Sequence, residues 1–223
     1  MAILAEGADK TFRIQAFLLL ALMFLGSHEI GQASDCVARA TSLARKARLG
    51  SFDACNSQGS ATTLRRACVR RTWWELCTID ALLALLEARP PELMTRSPHN
   101  LPIVLCADTC YEAGDLGITQ PTYADFERQL FLQGTAAFPS HFYRIEAANL
   151  ARRICHLFKR DDADLQELEA TRNEIASWPY NLPDSSFTSS DSLEDPDQIL
   201  LQARLFFQVA SIFLNFPGQT FRH

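Results

Sequence analysis

Through most of this 223-residue chain, apolar residues recur at steps of three and four, which is the spacing of one face of an α-helix. This spacing predicts helices over residues 12–25, 29–49, 62–87, 123–133, 138–158, 161–177 and 197–215. Strictly alternating stretches, which would predict strands, are few. The sequence therefore predicts an all-α fold, an irregular multi-helix domain.

The breaks between these segments collect residues that oppose a helix. Residues 51–60 predict a loop, and Pro90-Pro91 ends the helix over 62–87, because proline restricts the preceding residue and donates no backbone hydrogen bond. Residues 179–197 are polar, acidic and proline-bearing, which predicts a mobile linker before the last helix. We expect residues 1–223 to form a single domain.

Residues 14–25, IQAFLLLALMFL, admit two interpretations. A helix this apolar on nearly all sides favours a central place in a bundle, with Leu19 and Leu22 inside the core. The run also follows Lys10 and Arg13, as the apolar middle of a secretory signal follows its charged start. It is shorter than the ~20 residues that span a bilayer. We predict a core helix; the alternative is a secreted or membrane-tethered helical protein with an N-terminal signal at 14–25.

The next predicted helix, over 29–49, has a face of small residues at alternating steps of four and three. These residues are Ala33, Val37, Ala40, Ala44 and Ala47. Such a face predicts close packing against a neighbouring helix. Gly50 is the predicted end of this helix, since glycine commonly follows the last helical turn.

Charge and composition exclude several classes of protein. The 26 acidic and 21 basic residues give a net charge of −5, so the basic footprint of a chain that binds nucleic acid unaided is missing. The 48% of hydrophobic residues fits a packed core and not a disordered chain. Arginines far outnumber lysines, which favours ion pairs between packed helices.

No pattern for catalysis or metal binding stands out. The seven cysteines include no Cys-x-x-Cys pair, so we expect buried thiols in a reducing compartment and no zinc site. The five histidines are scattered, and phosphate loops, dinucleotide-binding glycine motifs and nucleophile elbows are missing. The sequence therefore predicts neither an enzyme nor a bound cofactor.

The most informative stretch is residues 70–102, RRTWWELCTIDALLALLEARPPELMTRSPHNLP. Its motif residues are Arg70, Arg71, Trp73, Trp74, Asp80, Arg89, Pro90, Leu101 and Pro102. The block resembles the regulatory (middle homology) domain that follows the binuclear zinc cluster of fungal transcription factors. Flanking segments such as LLLALMFLG and QARLFFQVASIFLNFP are also similar, so the resemblance extends over about residues 14–216.

The resemblance implies a nuclear, fungal-type transcription regulator that controls a pathway or a biosynthetic gene cluster. It implies other transcription factors, co-regulators or a second copy as partners, and no membrane. The family's six-cysteine zinc cluster does not occur in this sequence, so contact with DNA is expected only indirectly or through a missing segment. Zinc is expected only in that cluster.

Two expectations about charged residues follow from spacing. Asp80 shares a helix face with Trp73 and Leu83, and a buried carboxylate must be paired, so Arg89, Arg96 or an arginine of a neighbouring helix is its expected partner. The alternative places Asp80 at the solvent-exposed edge of that face. The cluster of Arg65, Arg66, Arg70 and Arg71 predicts pairing with acids on neighbouring helices, with contact to a phosphate backbone as the alternative.

Overall fold

The computed structural model describes residues 2–50, 63–93, 124–125, 128, 138–159, 165–182 and 197–215. These residues form helices α1 (Ala2–Gly26), α2 (Ile30–Lys46), α3 (Thr63–Leu86), α4 (Ser140–Lys159), α5 (Leu165–Ser177) and α6 (Gln198–Asn215). A 3₁₀ turn, Trp178–Asn181, follows α5, and no strand occurs within the described ranges. The all-α prediction is confirmed. Most of the helix predicted over 123–133 lies outside the described residues, and the single-domain organisation stays a prediction.

Helix α3 lies between two sets of helices. One side of α3, with Leu76, Ile79 and Leu83, packs in a core with α1 and α2. Its opposite side, with Trp74 and Leu85, packs in a second core with α4 and α6. A helix covered on both sides must be apolar nearly all round, which accounts for the long run of apolar residues toward the end of α3.

The small-residue face predicted for α2 is confirmed. Ala33, Val37, Ala40 and Ala44 are buried, and they lie in the same core as Ile14 of α1. Small side chains let two helix backbones approach closely, and α1 and α2 make one of the most extensive helix contacts of the fold.

The central position predicted for α1 is wrong. Its inner residues Ile14, Leu18 and Ala21 are buried, whereas Leu19 is 68% exposed and Leu22 is 49% exposed. The reason is that α2 and α3 cover only one side of α1, so its other face is left outward. The buried inner face favours the core-helix interpretation of residues 14–25. No helix in the described part of the chain is long and apolar enough to cross a membrane.

Side-chain contacts at their N-terminal ends align α4 with α6. The Asp197 carboxylate accepts a hydrogen bond from the Leu200 amide at 3.0 Å, which caps α6, and also contacts the hydroxyl of Ser140. One turn further on, Arg144 Nη1 donates to Gln202 Oε1 at 2.8 Å. Because the two contacts occur in the same order along both helices, α4 and α6 lie parallel.

Arginines connect the helices, as the composition predicts. The guanidinium of Arg144 also pairs with Glu75 of α3, and Arg153 of α4 pairs with Glu174 of α5. Both Arg144 and Glu75 are largely shielded from solvent, so this pair lies within the interface of α3 with α4.

The first residues of the segment predicted as a linker, 179–181, belong to a 3₁₀ turn instead. Residues 178–181 form the 3₁₀ turn, and the Trp178 ring stacks on Phe207 of α6 with the centroids 4.3 Å apart. This stacking ties the end of α5 to the core. Residues 183–196 lie outside the described residues.

Helices α1, α2 and α3 all end in the same backbone arrangement. A non-glycine residue with positive φ follows each helix: His28 at 62°, Arg48 at 53° and Ala88 at 51°. After α3, the amides of Ala88 and Arg89 donate to the carbonyls of Leu85 and Ala84, the hydrogen-bond pattern of a Schellman motif. The prediction that Gly50 ends α2 is therefore wrong, because Arg48 takes the left-handed position.

We expect Ala88→Gly to raise the free energy of unfolding by up to about 1 kcal/mol, since glycine adopts positive φ without the steric cost of a Cβ atom. Urea unfolding of the purified chain measures the change. The matched control is Ala84→Gly, one turn earlier and fully buried within α3, which should lower stability by about 1 kcal/mol or more. A destabilised Ala88→Gly variant would contradict the assigned backbone conformation.

Candidate functional site

The two tryptophans of the motif point into different parts of the core. Trp74 is 5% exposed and packs among residues of α4 and α6. Trp73 is half-buried and contacts both cores of the fold. The pair therefore anchors α3 to the helices on both of its sides.

Gly50 has a packing role that its sequence position does not reveal. A Cβ atom added at Gly50 would lie 2.6 Å from Cη2 of Trp73 and 2.8 Å from Cε2, so the ring occupies the space that a side chain would need. Glycine is required here by the close approach of an aromatic ring, which fixes the chain after α2 against α3.

Asp80 lies at the centre of the motif. Its carboxylate is 1% exposed and accepts three hydrogen bonds: from Arg89 Nη1 at 3.2 Å, and from the backbone amides of Glu92 and Leu93 at 2.7 and 2.9 Å. All three donors belong to the segment that leaves α3. The structure thus selects Arg89 among the predicted partners of Asp80, and the solvent-edge alternative is wrong. We call Asp80, Glu87, Arg89, Glu92 and Leu93 the exit clamp.

Helix α2 also forms hydrogen bonds with the segment that leaves α3. Ser34 Oγ donates to Glu87 Oε2 at 2.9 Å, and Arg45 Nη2 donates to the Glu92 carbonyl at 2.8 Å. Glu87 also accepts a hydrogen bond from Arg89 Nε at 2.7 Å. The exit clamp therefore joins α2, α3 and the chain that follows α3.

Charge balance favours an ionised Arg89 in the clamp. Burial alone lowers the pKa of Arg89, but its hydrogen bond to Glu87 and the charge of Asp80 outweigh burial and raise the pKa.

Two thiols lie near this charged pair. Burial, followed by the charge of Asp80, raises the pKa of Cys77 well above its usual value, and burial raises the pKa of Cys155 to about 12. Both thiols stay protonated at neutral pH and lack the character of nucleophiles.

The remaining motif residues lie beside the clamp, elsewhere on α3 or outside the described residues. Pro90 is half-buried, and its carbonyl accepts a hydrogen bond from Arg89 Nη1 at 3.2 Å. Arg70 and Arg71 are half-buried on α3, and each already takes part in an interaction within the chain. Leu101 and Pro102 lie outside the described residues, as does Arg96.

A buried carboxyl group on α4 is missing from the sequence predictions. Glu146 is 6% exposed and shares a hydrogen bond with Glu174 of α5, which pairs in turn with Arg153. The pKa of Glu146 is raised to about 8: burial is the main cause, the nearby Arg153 partly opposes it, and the charge of Glu174 adds to the rise. One signal could have revealed this buried carboxyl group. Glu146 lies between the apolar residues Ile145 and Ala147, in the middle of a helix that has buried residues on most of its sides.

The described residues contain no group of three or more histidine, cysteine, aspartate or glutamate side chains that could hold a metal ion. Cys36, Cys77 and Cys155 are free and buried, as predicted, and Cys68 is free and half-buried. The other three cysteines, Cys55, Cys106 and Cys110, lie outside the described residues.

The similarity of this chain to known proteins is distant, and the relative reported below is a transcription factor. No protein-family model matches the chain, and no solved structure matches it. The C6 finger domain transcription factor iacK of Pestalotiopsis fici is 26% identical to the chain over 211 residues. The match covers 92% of this chain and 30% of iacK, so the chain spans less than a third of that relative's length.

We expect Gly50→Ala to destabilise the fold by about 1–3 kcal/mol, because the added methyl group overpacks the contact with Trp73. The control is Gly31→Ala in α2, where the added group would meet no atom within 4 Å apart from its chain neighbours and the backbone of its own helix. Alanine there should stabilise the helix by up to about 1 kcal/mol. Thermal or urea unfolding followed by tryptophan fluorescence separates the two variants, and equal effects would refute the close approach of the ring.

Removal of the Asp80 carboxylate should have a large effect. Asp80→Ala removes the acceptor of two backbone amides and one of the two carboxylates that pair with Arg89, which keeps its hydrogen bond to Glu87. At about 1–3 kcal/mol for each donor that loses its acceptor, we expect a loss of about 3 kcal/mol or more. Asp125→Ala is the control, because it removes an ion pair with Arg128 in which the side chains are 40% and 72% exposed. That variant should stay within about 0.5 kcal/mol of the wild type in urea unfolding. Similar losses in both variants would argue against the clamp.

Glu146 predicts a pH dependence of stability. An unfolded chain releases the Glu146 proton near pH 4.5, whereas the folded chain keeps it until about pH 8. Between these values the folded state binds the extra proton, so the free energy of unfolding falls as pH rises. We expect Glu146→Gln to remove this part of the slope in urea unfolding between about pH 5 and 8, the window of this linkage. The exposed control Glu169→Gln should retain it, and an unchanged slope in Glu146→Gln would contradict the assignment.

Proposed function

We propose that this chain is the helical regulatory domain of a fungal-type transcription factor and acts in the nucleus. The match to iacK over 92% of the chain is the observation that carries the proposal. The motif that resembles the family's regulatory domain adds support, because Trp73, Trp74, Asp80 and Arg89 meet around one helix and its exit. Asp80 and Arg89 contact each other, and the two tryptophans pack the same helix into the cores on its two sides.

The proposed mechanism is regulation through protein surfaces. Of the described motif residues, Trp73 and Trp74 pack in the cores, and Asp80 and Arg89 belong to the exit clamp. We assign these four residues the role of holding the helices in register. The domain then presents surfaces to other transcription factors or co-regulators and controls a pathway or a biosynthetic gene cluster. We expect contact with DNA to come from a separate zinc-cluster segment or from a DNA-binding partner, with zinc bound only there.

A reporter experiment tests this proposal. The full chain is fused to a heterologous DNA-binding domain in yeast, upstream of a reporter that carries the matching operator. We expect the fusion to raise or lower expression several-fold relative to the DNA-binding domain alone. The Asp80→Ala fusion should lose the effect and the Asp125→Ala fusion should keep it, at protein levels matched by immunoblot. Expression equal to that of the DNA-binding domain alone would contradict the proposal.

A further inference from the structure

We propose that helix α5 is a proton-dependent lid on α4. It lies against α4 while the carboxyl groups of Glu146 and Glu174 share one proton, and it separates when alkaline pH removes that proton. Glu146 of α4 is 6% exposed and forms a hydrogen bond with the carboxyl group of Glu174 on α5. Ionised carboxylates only accept hydrogen bonds, so this bond exists only while one of the two groups is protonated.

The shared proton belongs to Glu146. Arg153 of α4 pairs with Glu174, and a neighbouring guanidinium stabilises the ionised form of a carboxyl group. Glu146 is the more deeply buried of the two acids, and burial disfavours its charged form. Its Oε2 atom is buried without a hydrogen-bond partner among the described residues, which adds to the cost of a charge there. A protonated Glu146 therefore donates to an ionised Glu174 that Arg153 holds in place.

Separation of α5 changes the charges around Glu146 on one side only. Arg153 and Arg152 of its own helix favour the ionised form of Glu146, and Glu174 opposes it. The two arginines stay on the same helix as Glu146 in either state of the lid. The remaining charged residues of α5 are exposed: Glu167, Glu169 and Arg172. The docked and separated states therefore differ at Glu146 by the presence of Glu174 and by access of water.

The other helices that pack on α4 stay in place when α5 separates, because they share the main core with α4. The acidic residues of α3 are Glu75 and Asp80, which pair with Arg144 and Arg89. Helix α6 carries one charged residue, Arg204. The basic residues of α3 all precede Glu75: Arg65, Arg66, Arg70 and Arg71. The charges of α3 and α6 therefore act equally in both states of the lid.

Helix α5 buries little of its own surface. Thr171 is its one buried residue, and the Thr171 hydroxyl donates within the same helix. Leu168 and Ile175 are partly buried against the core, and most other side chains of α5 are exposed. A helix with so few buried contacts opens at low cost, so one hydrogen bond matters. The Trp178 ring directly after α5 stacks on Phe207 without any titratable group, and it forms the fixed end of the lid.

Linkage gives the direction of the pH effect. In the docked state burial raises the pKa of Glu146 from its ordinary 4.5 to about 8. In the separated state Glu146 faces water, and its pKa falls back toward the ordinary value. Between these two values the docked state binds one more proton, so each rise of one pH unit favours separation by up to about tenfold. The surface of α4 that α5 covers is therefore exposed in response to alkaline pH.

Amide hydrogen exchange of the intact chain tests the lid. After correction for the pH dependence of unstructured exchange, we expect the protection of amides 169–177 to fall roughly 50-fold between pH 6 and 8. The amides of Phe206 and Ala210, in the core part of α6, should keep their protection.

Two variants identify the group that carries the proton. In Glu146→Gln the side-chain amide can donate to Glu174 at every pH, so the protection of α5 should stay high and lose its pH dependence. The control Glu169→Gln removes an exposed carboxyl group from α5 and should behave as the wild type.

Three results would overturn the proposal. The first is a wild-type chain in which the protection of α5 is the same at pH 6 and pH 8. The second is an equal loss of protection in α5 and α6, since the whole domain would then open. The third is a folded Glu146→Gln variant with the pH dependence of the wild type, since another group would then carry the proton. If Glu146→Gln fails to fold, the comparison of α5 with α6 in the wild type decides alone.

Discussion

The carboxylate of Asp80 is buried where α3 packs into the protein interior, and an unpaired charge there would be strongly destabilising. Its three hydrogen bonds come from Arg89 and from two amides of the segment that follows the helix. The charge can therefore be buried only while that segment lies folded back against α3. Because Ser34 and Arg45 of α2 also contact the segment, the position of α2 depends on the same carboxylate.

Among the described residues, Trp73 of α3 and Leu93 of the segment that follows it contact both cores, so the placement of this helix decides how the helices on its two sides are arranged. Trp74 fills the core with α4 and α6, and Trp73 extends from one core to the other while covering Gly50. Further contacts occupy the charged groups of Asp80 and Arg89, which belong to the exit clamp. The proposed regulatory role then depends on the outer surfaces that these helices present.

Periodicity was enough to predict the helices, the small-residue face of α2 and the burial of Asp80, because each follows from the spacing of residues along one helix. Arg89 could be predicted as one of several partners, since the spacing alone does not say how the chain turns after α3. Other features depend on contacts between distant segments. The need for glycine at position 50 comes from a ring 23 positions later, and the outward face of α1 depends on how many helices surround it. The carboxyl pair of Glu146 and Glu174 also requires knowledge of which helices touch.

The central claim is that the Asp80 carboxylate holds the backbone after α3, and amide hydrogen exchange at Glu92 and Leu93 tests it most directly. These two amides lie in a non-helical segment, where exchange would be fast without a stable acceptor. In the intact wild-type chain we predict exchange slowed at least 100-fold relative to an unstructured peptide, because opening must break charge-assisted hydrogen bonds. Asp80→Asn, which keeps the side-chain shape but loses the charge, should lower that protection at both amides and spare those in the middle of α3. Exchange at the unstructured rate in the wild type would contradict the account.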